Sequence, residues 1–196
     1  MIFKKGFHSG YLTGSLCLVL VIFSAFLSSC DAQDVELDPQ FQEIMTYNFG
    51  DSKESMNNIA DLINATKDFP SARLNIEKQF VTILASDATL ECKDFICRQL
   101  WVMGTDYSVP QLAKMLVVAE TSDMARYALE TNPSELVCSA LSDAMKTAKG
   151  NALIGIINTV GNRNNPESID ALKKLAAGSD SDISSAATAA LNKISN

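Results

Sequence analysis

The side chains with the clearest capacity for chemistry in this chain are thiols, because imidazoles are almost absent. The sequence contains five cysteines and a single histidine, His8. Beyond residue 8, no Ser-His-Asp triad, no Cys-His pair and no histidine-containing metal site can form. The sequence therefore predicts that the chain is not an enzyme of these classes. Among the thiols, Cys30 has the most informative surroundings.

Cys30 stands at the end of the most apolar stretch of the chain. Lys4 and Lys5 are followed by a run without charged residues, 6–29, whose densest part covers the 12 residues 16–27. That length suits the apolar region of a signal peptide, about 7–15 residues, better than a membrane span, which needs about 20. The segment therefore predicts export.

The residues around Cys30 indicate the kind of export. The sequence Leu27-Ser28-Ser29-Cys30 resembles the lipobox of bacterial lipoproteins. In that family the thiol receives a diacylglycerol and the chain is cut just before it, here between Ser29 and Cys30. The resemblance implies a lipoprotein signal peptide over 1–29 and a place in the bacterial cell envelope, lipid-anchored on the periplasmic or cell-surface side of the inner or outer membrane. An uncleaved anchor over 11–29 is the alternative, because that stretch could just span a bilayer.

Residues 30–40 predict an acidic tether between the lipid and the rest of the chain. The segment 31–39 contains four acidic residues and has no apolar periodicity. A flexible chain spans roughly 5–6 Å multiplied by the square root of its residue number. The tether should therefore hold the following domain within a few nanometres of the lipid surface.

The charge of the chain argues against a nucleic-acid partner. There are 16 basic and 23 acidic side chains, which gives a net charge of −7. Only Lys4 and Lys5 are charged in 1–29, so the remainder has 14 basic and 23 acidic side chains, a net charge of −9. Nucleic-acid binding requires a face rich in lysine and arginine.

The remainder of the chain has helical periodicity and an internal repeat. Equivalent apolar positions recur 29, 28 and 34 residues apart, at Leu100, Leu129, Ile157 and Leu191. Six positions before each are residues expected to cap helix N-termini: Asp94, Asp123, Asn151 and Ser185. Four positions after the first three are residues expected to end helices: Gly104, Pro133 and Gly161.

A second amphipathic helix is expected after each of the first three repeated helices. Their central leucines, Leu112, Leu141 and Leu172, are 29 and 31 residues apart. The predicted unit is thus a helix, a short turn and a second helix, about 30 residues in all. The weaker upstream pattern predicts helices over 51–66 and 70–86, a short capping helix over 41–49, and a terminal helix over 182–195.

The segments 94–100, 124–130, 155–161 and 186–191 resemble HEAT repeats. The resemblance covers 41–196 and implies an all-α fold, an α-solenoid of stacked antiparallel helix pairs. Most HEAT arrays are binding scaffolds, so it also implies a non-catalytic protein-interaction module without cofactor or metal, held at a membrane by its lipid. One alternative is an accessory or regulatory subunit of an exported enzyme. Another is a chromophore-lyase-like HEAT protein, a role that export disfavours.

Three further cysteines are expected to pack as small apolar residues. Cys92 and Cys97 are five residues apart, and on one helix they would be separated by more than about 7 Å, the limit for a disulfide. Cys138 falls in the apolar stripe of its helix. A disulfide between two of the three remains the alternative, and a metal site or nucleophile is the least supported interpretation.

Three arginines are candidates for a partner-binding surface. Arg98, Arg126 and Arg163 recur near the same end of successive repeats. In an acidic protein they could line one surface and bind an acidic partner. The alternative is that each binds a neighbouring helix end or acid inside the repeat array. Trp101 and Tyr127, near the same helix faces, are expected to pack between repeats.

Overall fold

The computed structural model describes residues 36–195, and all regular structure in that range is helical. Ten α-helices follow one another there: α1 (Pro39–Glu43), α2 (Glu54–Ala65), α3 (Pro70–Leu84), α4 (Leu90–Met103), α5 (Val109–Leu116), α6 (Ser122–Glu130), α7 (Leu136–Ala144), α8 (Gly150–Asn162), α9 (Ile169–Ala176) and α10 (Ser181–Ile194). Two 3-10 turns, Ile44–Thr46 and Pro166–Ser168, follow α1 and precede α9. Because residues 36–195 contain no strand, the predicted all-α class is confirmed. None of these ten helices is both long enough and apolar enough to cross a membrane.

The helices with even numbers contact one another in sequence. Helix α4 packs against α6, α6 against α8, and α8 against α10. On their other side, α5 packs against α7, and α7 packs against the 3-10 turn before α9. The helices therefore occupy two rows, which we call the even row (α4, α6, α8, α10) and the odd row (α5, α7, α9).

The register of the apolar repeat is confirmed by burial. Leu100, Leu129 and Ile157 are fully buried in the even row, and Leu191 packs partly buried against the same core. The central leucines of the odd row are also fully buried: Leu112, Leu141 and Leu172. An amphipathic helix places residues three or four apart on one face, so the spacing that defines the repeat also defines the core.

The helices pair differently from the predicted units. The prediction joined α4 to α5, α6 to α7 and α8 to α9. In the structure the closer consecutive pairs are α3 with α4, α5 with α6, α7 with α8, and α9 with α10. The repeating unit is therefore displaced by one helix. A periodic apolar pattern defines the length of a repeat, but the same period is obtained from any starting helix.

The predicted N-caps are wrong, because all four residues lie inside their helices, and in α4 and α10 a residue further upstream caps the helix. Thr89 caps α4 by accepting a hydrogen bond from the backbone N–H of Cys92, so Asp94 lies inside the helix. Asp180 caps α10 through its carboxylate, and Ser185 lies inside that helix. The other two predicted caps, Asp123 and Asn151, are the second residues of α6 and α8.

Only one of the three predicted stops is a helix cap. Gly104 is the C-cap of α4, as expected, and Pro133 lies three residues beyond the end of α6. Gly161 does not end α8 but lies inside it, where α10 approaches closely. A Cβ atom on Gly161 would lie 2.9 Å from the Cα atom of Ala190. This glycine therefore serves helix packing, for which a larger side chain leaves no room.

The upstream helices also occur, and α1 covers the end of the core. Helices α2 and α3 fall within the predicted ranges 51–66 and 70–86, while the predicted capping helix over 41–49 is α1 with its 3-10 turn. The rings of Phe41 in α1 and Phe80 in α3 are buried and meet edge to face, with centroids 5.7 Å apart. This geometry is favourable for two aromatic rings.

A chain of polar contacts links the connections between helices. The buried carboxylate of Glu77 in α3 accepts hydrogen bonds from the backbone N–H groups of Thr105 and Ser108, at 2.7 and 3.1 Å. The buried amide of Asn132 donates to the carbonyl of Thr105, at 3.2 Å. Arg163 in turn donates to the carbonyl of Asn132, at 2.9 Å. Buried polar groups thus satisfy backbone atoms that no helix can satisfy.

Candidate functional site

The residues with a predicted covalent role lie outside the described part of the chain. Cys30, the expected lipidation site, and Ser29, which precedes the expected cleavage, both come before residue 36. The signal peptide over 1–29 and most of the tether share that position. Of the predicted site residues, Arg98, Arg126 and Arg163 lie in the described part of the chain.

Cys92 and Cys97 pack in the core as predicted, but the predicted burial of Cys138 is wrong, because Val137 takes the buried position on α7. Cys92 and Cys97 lie on α4, both are fully buried, and both are free, as is the half-buried Cys138. Burial raises the pKa of the Cys92 and Cys97 thiols to about 12. A thiol needs its thiolate form to act as a nucleophile or metal ligand, so at neutral pH neither group is suited to that chemistry. Among residues 36–195 no cluster of three or more metal-binding side chains occurs.

Arg163 makes its contacts within the fold. Its Nη1 group donates to the backbone carbonyls of Leu129, Glu130 and Asn132, at 2.8, 3.0 and 2.9 Å. These carbonyls lie at the C-terminal end of α6 and just beyond it, where intrahelical partners run out. Arg163 therefore joins the end of α8 to the end of α6.

Arg126 lies between helices of the even row. Its Nη1 group donates to the buried hydroxyl of Thr159 in α8, and its Nη2 group donates to Asp123 one turn earlier in α6, both at 3.4 Å. The side chain is mostly shielded from solvent. Its contacts connect α6 to α8.

Arg98 has the most open environment of the three arginines. Its side chain is 60% exposed, and its Nε group donates to Asp94 one turn earlier in α4, at 2.8 Å. The hydrogen bond to Asp94 raises the pKa of Arg98. Its guanidinium also lies over the ring of Tyr127 in α6, 5.6 Å from the centroid. Tyr127 stacks on Trp101 of α4 at a centroid distance of 5.7 Å, and both rings remain exposed, at 37% and 40%.

The three arginines therefore do not share one environment. Arg98 and Arg126 lie on the neighbouring helices α4 and α6, whereas the guanidinium of Arg163 donates hydrogen bonds to carbonyl groups at the end of α6. Of the three, Arg98 is the one that borders a groove.

This groove lies beside the exposed side of α4. It has a volume of about 530 Å³. The first turn of α2 and the loop before it form one wall, the solvent-facing side of α4 forms the other, and Met124 of α6 closes one end. The side chains that line it are Tyr47, Phe49, Lys53, Met56, Asn57, Leu90, Glu91, Asp94, Phe95, Arg98 and Met124. We call it the α2–α4 groove.

The interior of the α2–α4 groove is apolar. Met56, Phe95 and Met124 pack partly buried against the core and form its floor. Leu90 is 47% exposed, and Phe49, which is 91% exposed, stands at the edge. Methionine side chains adapt to partners of varied shape, and aromatic side chains are enriched in protein interfaces.

The rim of the α2–α4 groove has charges of both signs. Asp94 and Arg98 pair with each other, and Lys53 and Glu91 add one further charge of each sign. The summed formal charge of these four side chains is zero. An apolar floor with a balanced rim suits a peptide segment better than a polyanion.

Sequence reasoning missed the groove, because its residues come from three separate segments of the chain. Helical periodicity identified the buried side of α4 but not what would lie opposite its exposed side. Leu90, Asp94 and Arg98 are four residues apart and share one face of the helix, and this spacing is the only local signal of the groove.

No family model, no curated protein and no solved structure matches the chain.

Proposed function

We propose that the chain is a lipid-anchored, non-catalytic interaction module of the bacterial cell envelope. Its signal peptide over 1–29 is removed, Cys30 carries the lipid, and the helical domain binds a protein partner at the membrane. The α2–α4 groove is the observation that carries this proposal, because it is concave, apolar inside and ringed by balanced charges.

The arrangement of the helices supports the fold part of the proposal, an α-solenoid of HEAT-like helix pairs. Consecutive helices pair, and each pair contacts the next through its even-row helix. Contacts limited to neighbouring units are the distinguishing property of repeat proteins. Such folds present broad surfaces for binding without a single reactive residue.

The chemistry of the described side chains supports a role in binding. Cys92 and Cys97 are shielded, and the buried carboxylate of Glu77 is occupied by backbone and hydroxyl donors. A catalytic group must be within reach of a substrate. These groups point into the domain.

Photo-crosslinking tests the role of the α2–α4 groove. A photoreactive amino acid replaces Phe49 in the full-length, membrane-anchored chain in the bacterium that produces it. The matched control places the same residue at Leu136 in α7, which is also an exposed apolar position, at 48%. We expect a discrete crosslinked protein from position 49 and none from position 136.

A second variant determines whether the crosslink depends on the groove. Leu90→Glu places a charge at an exposed position on the apolar groove wall, so folding should be retained. We expect this change to reduce the crosslink from position 49 at least about tenfold, since a buried unpaired charge is costly. Equal crosslinking from positions 49 and 136, or full crosslinking with Leu90→Glu, would contradict the proposed binding site.

A further inference from the structure

The helical domain holds the end of the predicted tether firmly. The side chain of Gln79 in α3 donates to the carbonyl of Glu36 and accepts from the backbone N–H of Asp38, both at 3.1 Å. Between these two residues, Leu37 packs against the core. Two hydrogen bonds from one largely buried amide fix both position and direction of the backbone. A tether from Cys30 therefore meets the domain at Glu36.

A tether that ends at Glu36 is short. Six Cα–Cα steps separate Cys30 from Glu36, which a fully extended chain spans in about 20 Å. With a lipid on Cys30, Glu36 and the side chain of Gln79 that binds it lie within about 20 Å of the membrane surface. The surface of the domain nearest this point is therefore within reach of the lipid.

The turn between α2 and α3 lies close to that point. Gln79 is nine residues from Pro70, the first residue of α3, which corresponds to about 14 Å along the helix axis. A shallow cavity of about 250 Å³ runs along the same side of the domain, and its walls include Asp38, Thr66 and Ala72. The tether end and the α2–α3 turn thus share one edge of the domain.

The α2–α3 turn has the side chains expected at a lipid interface. Phe69 is 63% exposed and does not belong to the core, and Leu74 is exposed on the first turns of α3. Lys67 and Arg73 flank Phe69, and neither forms an ion pair within the described residues. Aromatic rings and basic side chains are favoured at the boundary between headgroups and acyl chains.

We propose that the α2–α3 turn is a membrane-contact site in which Phe69 inserts into the lipid interface. The inference rests on the proposed lipid at Cys30. Lys67 and Arg73 lie beside the phosphate groups, while Asp68 reduces the net charge of the turn to about +1. The apolar ring, rather than charge, therefore dominates the contact. In this arrangement the α2–α3 turn faces the bilayer, and the N-terminal end of α2 points away from it.

Fluorescence quenching by brominated lipids tests the contact directly. The sequence has one tryptophan, so Trp101→Phe removes the background signal. Phe69→Trp is then added to the full-length lipidated chain, which is reconstituted in vesicles of phosphatidylcholine and phosphatidylglycerol. Phe49→Trp is the matched control, because Phe49 is more exposed but lies beyond the other end of α2, about 18 Å away along the helix.

The proposal predicts different quenching at the two positions. With brominated acyl chains, the fluorescence of Trp at position 69 should fall to about half, because an interfacial side chain lies about 5–10 Å within the boundary of headgroups and acyl chains. Fluorescence from position 49 should be unchanged. No quenching at position 69, or equal quenching at both positions, would overturn the membrane-contact site.

Intact mass separates this failure from a failure of the lipid anchor. A chain with the added diacyl mass but without quenching at position 69 would overturn the membrane-contact site alone. A chain without the added mass would overturn the lipid anchor as well. Far-ultraviolet circular dichroism of each variant confirms that the helices are retained.

Discussion

At the scale of single residues, Arg163 and Arg98 show how one side-chain type serves two purposes. Arg163 donates to three carbonyl groups around the end of α6. Arg98 is 60% exposed, and among residues 36–195 it pairs with Asp94 and the face of Tyr127. Removing the Arg163 side chain leaves backbone carbonyls without this hydrogen-bond donor, whereas water can replace the contacts of Arg98.

This difference predicts unequal effects on stability. Arg163→Ala should lower the free energy of unfolding by about 2 kcal/mol, because charge-assisted hydrogen bonds to partly buried carbonyls are lost. Arg98→Ala should lower it by less than about 1 kcal/mol, since an exposed ion pair is screened by water and salt. Urea denaturation of the two variants and the parent chain measures both values. Equal losses would contradict the assignment of Arg163 as the structural member of the set.

The sequence predicted the burial of some residues but not their specific contacts. Cys92 and Cys97 were expected in the core, and both are there, because helical spacing relates them to the buried Ile96 and Leu100. The contacts of Arg163 could not be predicted in the same way. They depend on where the end of α6 lies in space, and a one-dimensional pattern does not contain that distance.

At the scale of helices, the apolar period was predictable and the helix ends were not. The buried leucines of the even and odd rows fall where the repeat placed them. The ends depend on single hydrogen bonds, such as those of Thr89 and Asp180, which compete with other capping residues nearby. The pairing of helices likewise depends on which exposed edges meet, so the repeat unit was displaced by one helix.

Gly161 provides a test of packing between the even-row helices. An added Cβ atom would lie 2.9 Å from the Cα atom and 3.0 Å from the Cβ atom of Ala190, so α8 and α10 would have to separate. We expect Gly161→Ala to lower the free energy of unfolding by about 1–3 kcal/mol, the usual effect of overpacking. The measurement is again urea denaturation.

Gly155, also in α8, provides the matched control. Its added Cβ atom would lie 3.1 Å from Nε of Arg126, a flexible side chain that can move. Alanine also favours the helix over glycine by about 1 kcal/mol. Gly155→Ala should therefore be neutral or stabilising. If the two alanine variants are equally stable, the close approach of α10 at Gly161 is not a constraint on the fold.

At the scale of the whole molecule, the sequence predicted the class of fold more fully than the site. The all-α class follows from periodicity, because the apolar positions that recur at helical spacing along the even and odd rows are the ones packed in the core. The α2–α4 groove requires α2, α4 and α6 to be placed relative to one another. Met56, Leu90 and Met124 are distant in the sequence, so no local pattern indicated that they line one groove.

The proposed role of the molecule combines a lipid at one end of a short tether with a groove on the helical domain. The two hydrogen bonds of Gln79 to Glu36 and Asp38 shorten the tether relative to the predicted 30–40. A lipid on Cys30 would then also restrict how the domain faces the membrane. A groove held in this way would meet membrane-associated partners at high local concentration. All of these consequences depend on modification at Cys30.

The modification at Cys30 is tested by membrane fractionation and intact-mass analysis. Both are carried out on the full chain, tagged after Asn196, and on its Cys30→Ala variant. We expect the parent chain to be cut before Cys30, to gain the mass of a diacylglycerol and to fractionate with membranes, whereas the variant should not be processed. Full-length parent and variant chains that both remain in the membrane would instead indicate an uncleaved anchor. If both chains are soluble inside the cell, export and the envelope scaffold are contradicted.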